Sequence, residues 1–217
     1  MTVNITMLTH GRPRLTGQSL ETLRINTDHS QVFWTFDEFD DEEMLLGTGK
    51  SRNKVIELAR KRGGKYLYLS DNDVYFKPFW LEALIECFLL AKENAGVLVM
   101  GAYNHPYNQP VARYPIFSSA LRSWLEIAEV YAVSTQSWLM EWSTWDKYGP
   151  FKETPPGMVR MSEDWEFCQR IRNDGFKVAT VLPPLICNTA LTDTNGQKVP
   201  GWELIEKEPL PEGAFRE

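Results

Sequence analysis

Cysteine is scarce in this sequence: Cys87, Cys168 and Cys187 are the only three in 217 residues. They are odd in number and far apart, so they form neither a disulfide framework nor a zinc-ligand pattern. Each sits in an apolar stretch, as small buried hydrophobes do, which fits a reducing compartment. Histidine is equally scarce, at three scattered positions, of which only His10 ends an apolar segment. No run approaches the ~18–20 apolar residues of a membrane helix. The first residues carry no basic-then-apolar targeting segment. A cytoplasmic location is expected, with no transmembrane segment and with peripheral membrane contact left open. Excess positive charge is missing as well: 23 bases against 29 acids leave a net charge of −6. Proteins that live on nucleic-acid phosphates usually carry the opposite sign, so no nucleic-acid partner is expected. Internal repeats and low-complexity linkers are also absent.

What is present is ordinary globular composition, 43% hydrophobic and 24% charged, which excludes a fully disordered chain. The length predicts a single domain. Residues 3–8 read as a first strand, 32–36 as a second, 66–69 as a third of the buried parallel type and 97–100 as a fourth. Helices are predicted between them, around Leu15, Leu20 and Leu23, over 51–62, and from Pro78 onward. This alternation predicts an α/β fold with an open, mostly parallel sheet flanked by helices. The second half is less regular. Residues 103–119 read as loop, 127–133 as a strand, 137–148 as a helix carrying Trp138, Trp142 and Trp145, 163–174 as a helix closed by Gly175, and 178–181 as a last strand. Two functional halves are expected, about 1–104 and about 105–217.

Asp71-Asn72-Asp73 follows the third strand. In open α/β sheets ligands bind beyond the carboxyl ends of strands. Two acids two apart on extended backbone point to one side and can hold Mg²⁺ or Mn²⁺ while leaving room for substrate phosphates. The competing reading is a turn in which Asp and Asn bond their own backbone. An EF-hand is excluded, because Tyr75 and Phe76 stand where an oxygen ligand and a glycine are needed. Gly47-Thr48-Gly49-Lys50-Ser51 lacks the first glycine of a phosphate loop, since Met44 occupies that position. The helix start that follows, with Lys50, Arg52 and Asn53, can still attract anions. Most of the acidic run 37–43 reads as solvated loop. Asp37, expected to end the second strand, can accept a hydrogen bond from a nucleobase or ribose.

Glu163 and Asp164 open a helix. The spacing lines Asp164 up with Phe167, Cys168 and Ile171, and Glu163 with Glu166 and Arg170 on the solvent side. An inward acid is costly unless a partner or substrate uses it, which makes Asp164 the candidate general base. The tryptophans at 138, 142 and 145 read as core or as a sugar platform. Pro155, Pro156 and Gly157 punctuate 154–161, which is either a flap over the ligand edge or a plain surface loop.

The order of these features resembles the family 2 glycosyltransferases, of the GT-A fold, over nearly the whole chain. The matching segments are Thr9-His10-Gly11-Arg12, Asp37, Gly49-Lys50-Ser51-Arg52-Asn53, Asp71-Asn72-Asp73, Gly149-Pro150-Phe151, and Glu163-Asp164 with Arg170 and Gly175. The resemblance implies a metal-dependent, inverting transfer from a nucleotide-diphosphate sugar to a saccharide, glycolipid or protein hydroxyl. It implies that Thr9, His10, Arg12, Asp37, Arg52, Asn53, Asp71 and Asn72 bind donor. Asp71 and Asp73 would hold Mn²⁺ or Mg²⁺, and Asp164 would deprotonate the acceptor. Gly157, Glu163 and Trp138 are expected on the acceptor or lid side. Many relatives carry a late histidine as a further metal ligand, where this chain has Cys187-Asn188-Thr189. Two alternatives are a nucleotidyltransferase and a non-catalytic sugar- or nucleotide-binding protein on the same scaffold.

Overall fold

The computed structural model describes residues 1–9, 11–27, 30–40, 46–105, 108–153, 163–191, 198, 206–207 and 209–216. His10, Gly157 and the whole 154–161 segment lie outside the described residues.

Strands β1 (Thr2–Thr9), β2 (Phe33–Asp40) and β3 (Tyr66–Asp71) alternate with helices α1 (Pro13–Thr27) and α2 (Thr48–Arg60). A short β4 (Val74–Phe76) follows, then α3 (Trp80–Ala95) and β5 (Val97–Gly101). The second half supplies β6 (Ala112–Ser118), β7 (Ser123–Val130), β8 (Ser137–Glu141), α4 (Trp142–Tyr148), α5 (Glu163–Asn173), β9 (Lys177–Leu182) and β10 (Ile186–Asn188). Eight strands form one sheet in the order β2-β1-β3-β8-β5-β9-β7-β6, and β10 pairs with β4 in a small second ladder.

The sheet is mixed, which corrects the expectation that it is mostly parallel. Parallel pairing is confined to β1/β2, β1/β3 and β5/β9. The strand β8 runs antiparallel to both β3 and β5, and the β6–β7 hairpin extends the far edge antiparallel to β9. Two sequence expectations therefore fail. Residues 137–141 form a central strand rather than helix, with helix only from Trp142, and 112–118 are strand rather than loop. Helix α3 also starts two residues later than its proline suggested, after a left-handed Phe79.

Alternation along the buried strands feeds two cores. Ile5, Met7, Tyr66 and Tyr68 pack with Trp80, Leu84 and Phe88 of α3 on one face. Leu67, Leu69, Trp138 and Met140 pack with α2, α4 and α5 on the other. Gly101 is small for a packing reason, since a Cβ there would lie 2.3 Å from Val133 Cγ1. The C-terminal segment returns to α1, where Gln18 donates to the Phe215 carbonyl and accepts from its amide. Among the described residues no helix is long and apolar enough to cross a membrane.

Candidate active site

Strand β3 ends at Asp71, level with Leu8 of β1, and the chain turns through Asn72 and Asp73 into β4. The two acids meet different arginines. Asp71 Oδ1 accepts from Arg52 Nη2 at 2.6 Å, and Asp73 Oδ2 accepts from Arg12 Nη1 at 3.0 Å. Arg12 sits in a tight turn in which both it and Gly11 have positive φ, 53° and 55°. That conformation is costly for a side-chain-bearing residue and persists only when its surroundings hold it. Asn72 is one of the groups that holds it, donating to Thr16 Oγ1 at 2.7 Å and the Gly11 carbonyl at 3.3 Å. Burial, and next the charge of Asp71, lift the Asp73 carboxyl from its ordinary value to about 6, against the pull of Arg12 and Arg52. Burial alone would lower the Arg52 pKa, but Asp71, Glu163 and Asp164 outweigh it and raise it.

Arg52 lies in the first turns of α2 and also reaches Glu163, with Nε 3.4 Å from Oε1. The start of α5 is thereby drawn to the end of β3. Glu163 faces the site through this contact, not solvent as helical spacing suggested, because a tertiary partner overrides the stripe. Asp164 is half-buried, and its Oδ1 accepts from the Trp165 amide at 2.7 Å. It is close enough to raise the pKa of His105, whose own burial nevertheless leaves that pKa lowered. His105 was invisible to the sequence reading, because its loop follows β5 and meets α5 only in the folded chain. Behind the site Asn53 grips the main chain of Phe151, donating to its carbonyl at 3.0 Å and accepting from its amide at 2.9 Å. A Cβ on Gly49 would lie 2.5 Å from the Lys152 carbonyl oxygen, so this helix start must be small there.

Other expected residues sit elsewhere. Trp138 is fully buried in β8 against Phe151 and Phe167, with Nε1 donating to the Val133 carbonyl, so it is core and not a sugar platform. Thr9 is buried and leans on the Phe39 carbonyl at 3.5 Å. Asp37 does not end its strand: β2 continues to Asp40, and Asp37 stands opposite Thr6. Arg62 holds its Oδ1 at 3.2 Å, while Oδ2 is buried without a hydrogen-bond partner.

A divalent cation fits the donor set in one respect that the protein leaves open. Asp73 Oδ1 is buried with no hydrogen-bond partner, although Oδ2 is ion-paired. Among the described residues no group of three His, Cys, Asp or Glu side chains converges on a metal position. Two carboxylates completed by neutral oxygens and substrate phosphates are the pattern that Mg²⁺ and Mn²⁺ accept.

No protein-family model and no curated protein matches the chain. Among solved structures it is similar to the catalytic domain of Drosophila β1,4-galactosyltransferase 7 in complex with xylobiose, at 14% identity and TM-score 0.45, over 82% of this chain and 64% of that one. The chain thus spans just under two thirds of that structure. It is similar to a mutant of the same enzyme in complex with manganese, UDP-Gal and xylobiose, at 13% identity and TM-score 0.46, over 97% and 77% of the two chains. It is also similar to the inositol-1-phosphate CTP transferase from T. maritima, at 12% identity and TM-score 0.41, over 94% and 95%. At these identities the function has to be read from the site.

Proposed function

We propose that the protein is a metal-dependent glycosyltransferase of the GT-A kind, similar to family 2, that moves a sugar from a nucleotide-diphosphate sugar to a hydroxyl acceptor. One observation carries this reading. At the carboxyl end of β3, Asp71 and Asp73 are each balanced by a separate arginine, and the acids opening α5 are drawn to the same place. Such a site suits a cation and a polyanion together. Asp71 and Asp73 would hold the cation, and Arg12 and Arg52 stand ready for the diphosphate. When bound, Mn²⁺ or Mg²⁺ neutralises the diphosphate and makes it a better leaving group. The buried, unpartnered Oδ2 of Asp37 is the oxygen that would accept from a nucleobase N–H. Asp164 takes the proton of the acceptor hydroxyl as its oxygen bonds to the anomeric carbon. The bond from that carbon to the diphosphate breaks, the nucleoside diphosphate leaves with the electron pair, and in-line attack inverts the centre.

Incubating the protein and Mn²⁺ with a panel of nucleotide sugars and acceptors tests this. Nucleoside diphosphate should be released, and Asp164→Asn should retain donor binding while losing about 10²–10⁴ in turnover. Near-normal turnover rejects Asp164 as base. Pyrophosphate release from a nucleoside triphosphate establishes a nucleotidyltransferase instead, and binding without any release establishes a non-catalytic scaffold.

A further inference from the structure

Strand β10 runs antiparallel to β4, with Ile186 opposite Phe76, Cys187 opposite Tyr75 and Asn188 opposite Val74. One step further the same register sets Thr189 opposite Asp73, and the Thr189 amide donates to the Asp73 carbonyl at 2.8 Å. Directly opposed residues of an antiparallel ladder send their side chains to one face, with Cβ atoms ~4.5–5.5 Å apart. Both of these side chains carry a buried oxygen without a hydrogen-bond partner, Asp73 Oδ1 and Thr189 Oγ1. Thr189 is fully buried, and Arg12 already occupies the other oxygen of Asp73. Unsatisfied buried oxygens on two opposed residues are costly, because each forfeits its hydration without a compensating bond. A hard cation would suit both, since it accepts carboxylate and neutral oxygen ligands alike.

We propose that Thr189 Oγ1 and Asp73 Oδ1 together seat the divalent cation, giving an all-oxygen site where a late histidine would have supplied nitrogen. The inference rests on the metal-dependent reading above. It implies a preference for Mg²⁺ and Mn²⁺ over the metals that imidazole favours.

Mn²⁺ binding, read by electron paramagnetic resonance of the free ion, tests it without any turnover, using Mn²⁺ alone and Mn²⁺ with inorganic pyrophosphate. Thr189→Val keeps the shape and removes the oxygen, and should weaken binding by about tenfold or more. Thr189→Ser should stay within about threefold of wild type, since it keeps a ligand oxygen. Metal-free Thr189→Val should melt at or above the wild-type temperature, because it deletes an unsatisfied hydroxyl. Equal Mn²⁺ affinity of wild type and Thr189→Val overturns this inference alone. A lower melting point of metal-free Thr189→Val also overturns it, because the hydroxyl then has a partner within the protein. Wild type that binds no Mn²⁺ under either condition overturns the metal reading along with it.

Discussion

Asp73 holds a sharp conflict, a carboxylate that is buried, beside a like charge and only half paired. Its pKa is lifted to about 6, first by burial and then by Asp71. Between its ordinary value and about 6 the folded chain keeps a proton that the unfolded chain has released. The stability this group contributes is therefore full below pH ~4 and is lost as the pH rises through the folded value. A divalent cation held by Asp73, as proposed, would compete with the same proton. Mn²⁺ affinity should be level above pH ~7 and fall about tenfold per unit below the Asp73 pKa, measured by titration across that range. A flat profile would contradict the assignment of Asp73 as a ligand. The acids Asp71 and Asp73 and the arginines Arg12 and Arg52 were legible in the sequence because each lies at the end of a local strand–turn–helix unit. Glu163 was expected on the acceptor or lid side, but its ion pair with Arg52 was not legible, nor was the placement of His105 and Thr189, since these contacts join segments far apart in the chain.

At the scale of elements, the three tryptophans show how a periodicity misleads. Positions 138, 142 and 145 match a helical stripe, yet the chain changes from strand to helix at Trp142. Trp138 reaches the core from β8, while Trp145 reaches the same cluster from α4, stacking on Phe167 with ring centroids 5.8 Å apart. Nothing local distinguishes the two cases. The decision comes from the open edges of β3 and β5, which only an extended segment can fill. Trp138→Ala should cost about 3–5 kcal/mol in urea unfolding, as large buried aromatics do. A cost near zero would place Trp138 on the surface. Apart from the three-residue β4, the strands and helices of the first half were legible because each alternates with its neighbour at short range. The β6–β7 hairpin was not, because three prolines between 103 and 119 disguise an edge strand, where proline is tolerated.

At the scale of the whole molecule, β8 from the second half lies between β3 and β5 of the first. The two halves of the chain are thus parts of one sheet, and pairing order of this kind is not written in local sequence. Residues 1–104 alone should show no cooperative thermal transition, and adding residues 105–217 should restore one. A cooperative melt of the first fragment by itself would contradict this dependence. The same strand order sets a schedule for synthesis. As the nascent chain leaves the ribosome, Tyr66–Asp71 finds β1 on one side but waits for Ser137–Glu141 on the other. Throughout that delay four successive apolar residues, Tyr66 to Leu69, present an unpaired edge to neighbouring nascent chains. The interval before β8 emerges is therefore the point in the protein's life at which a chaperone has most to protect.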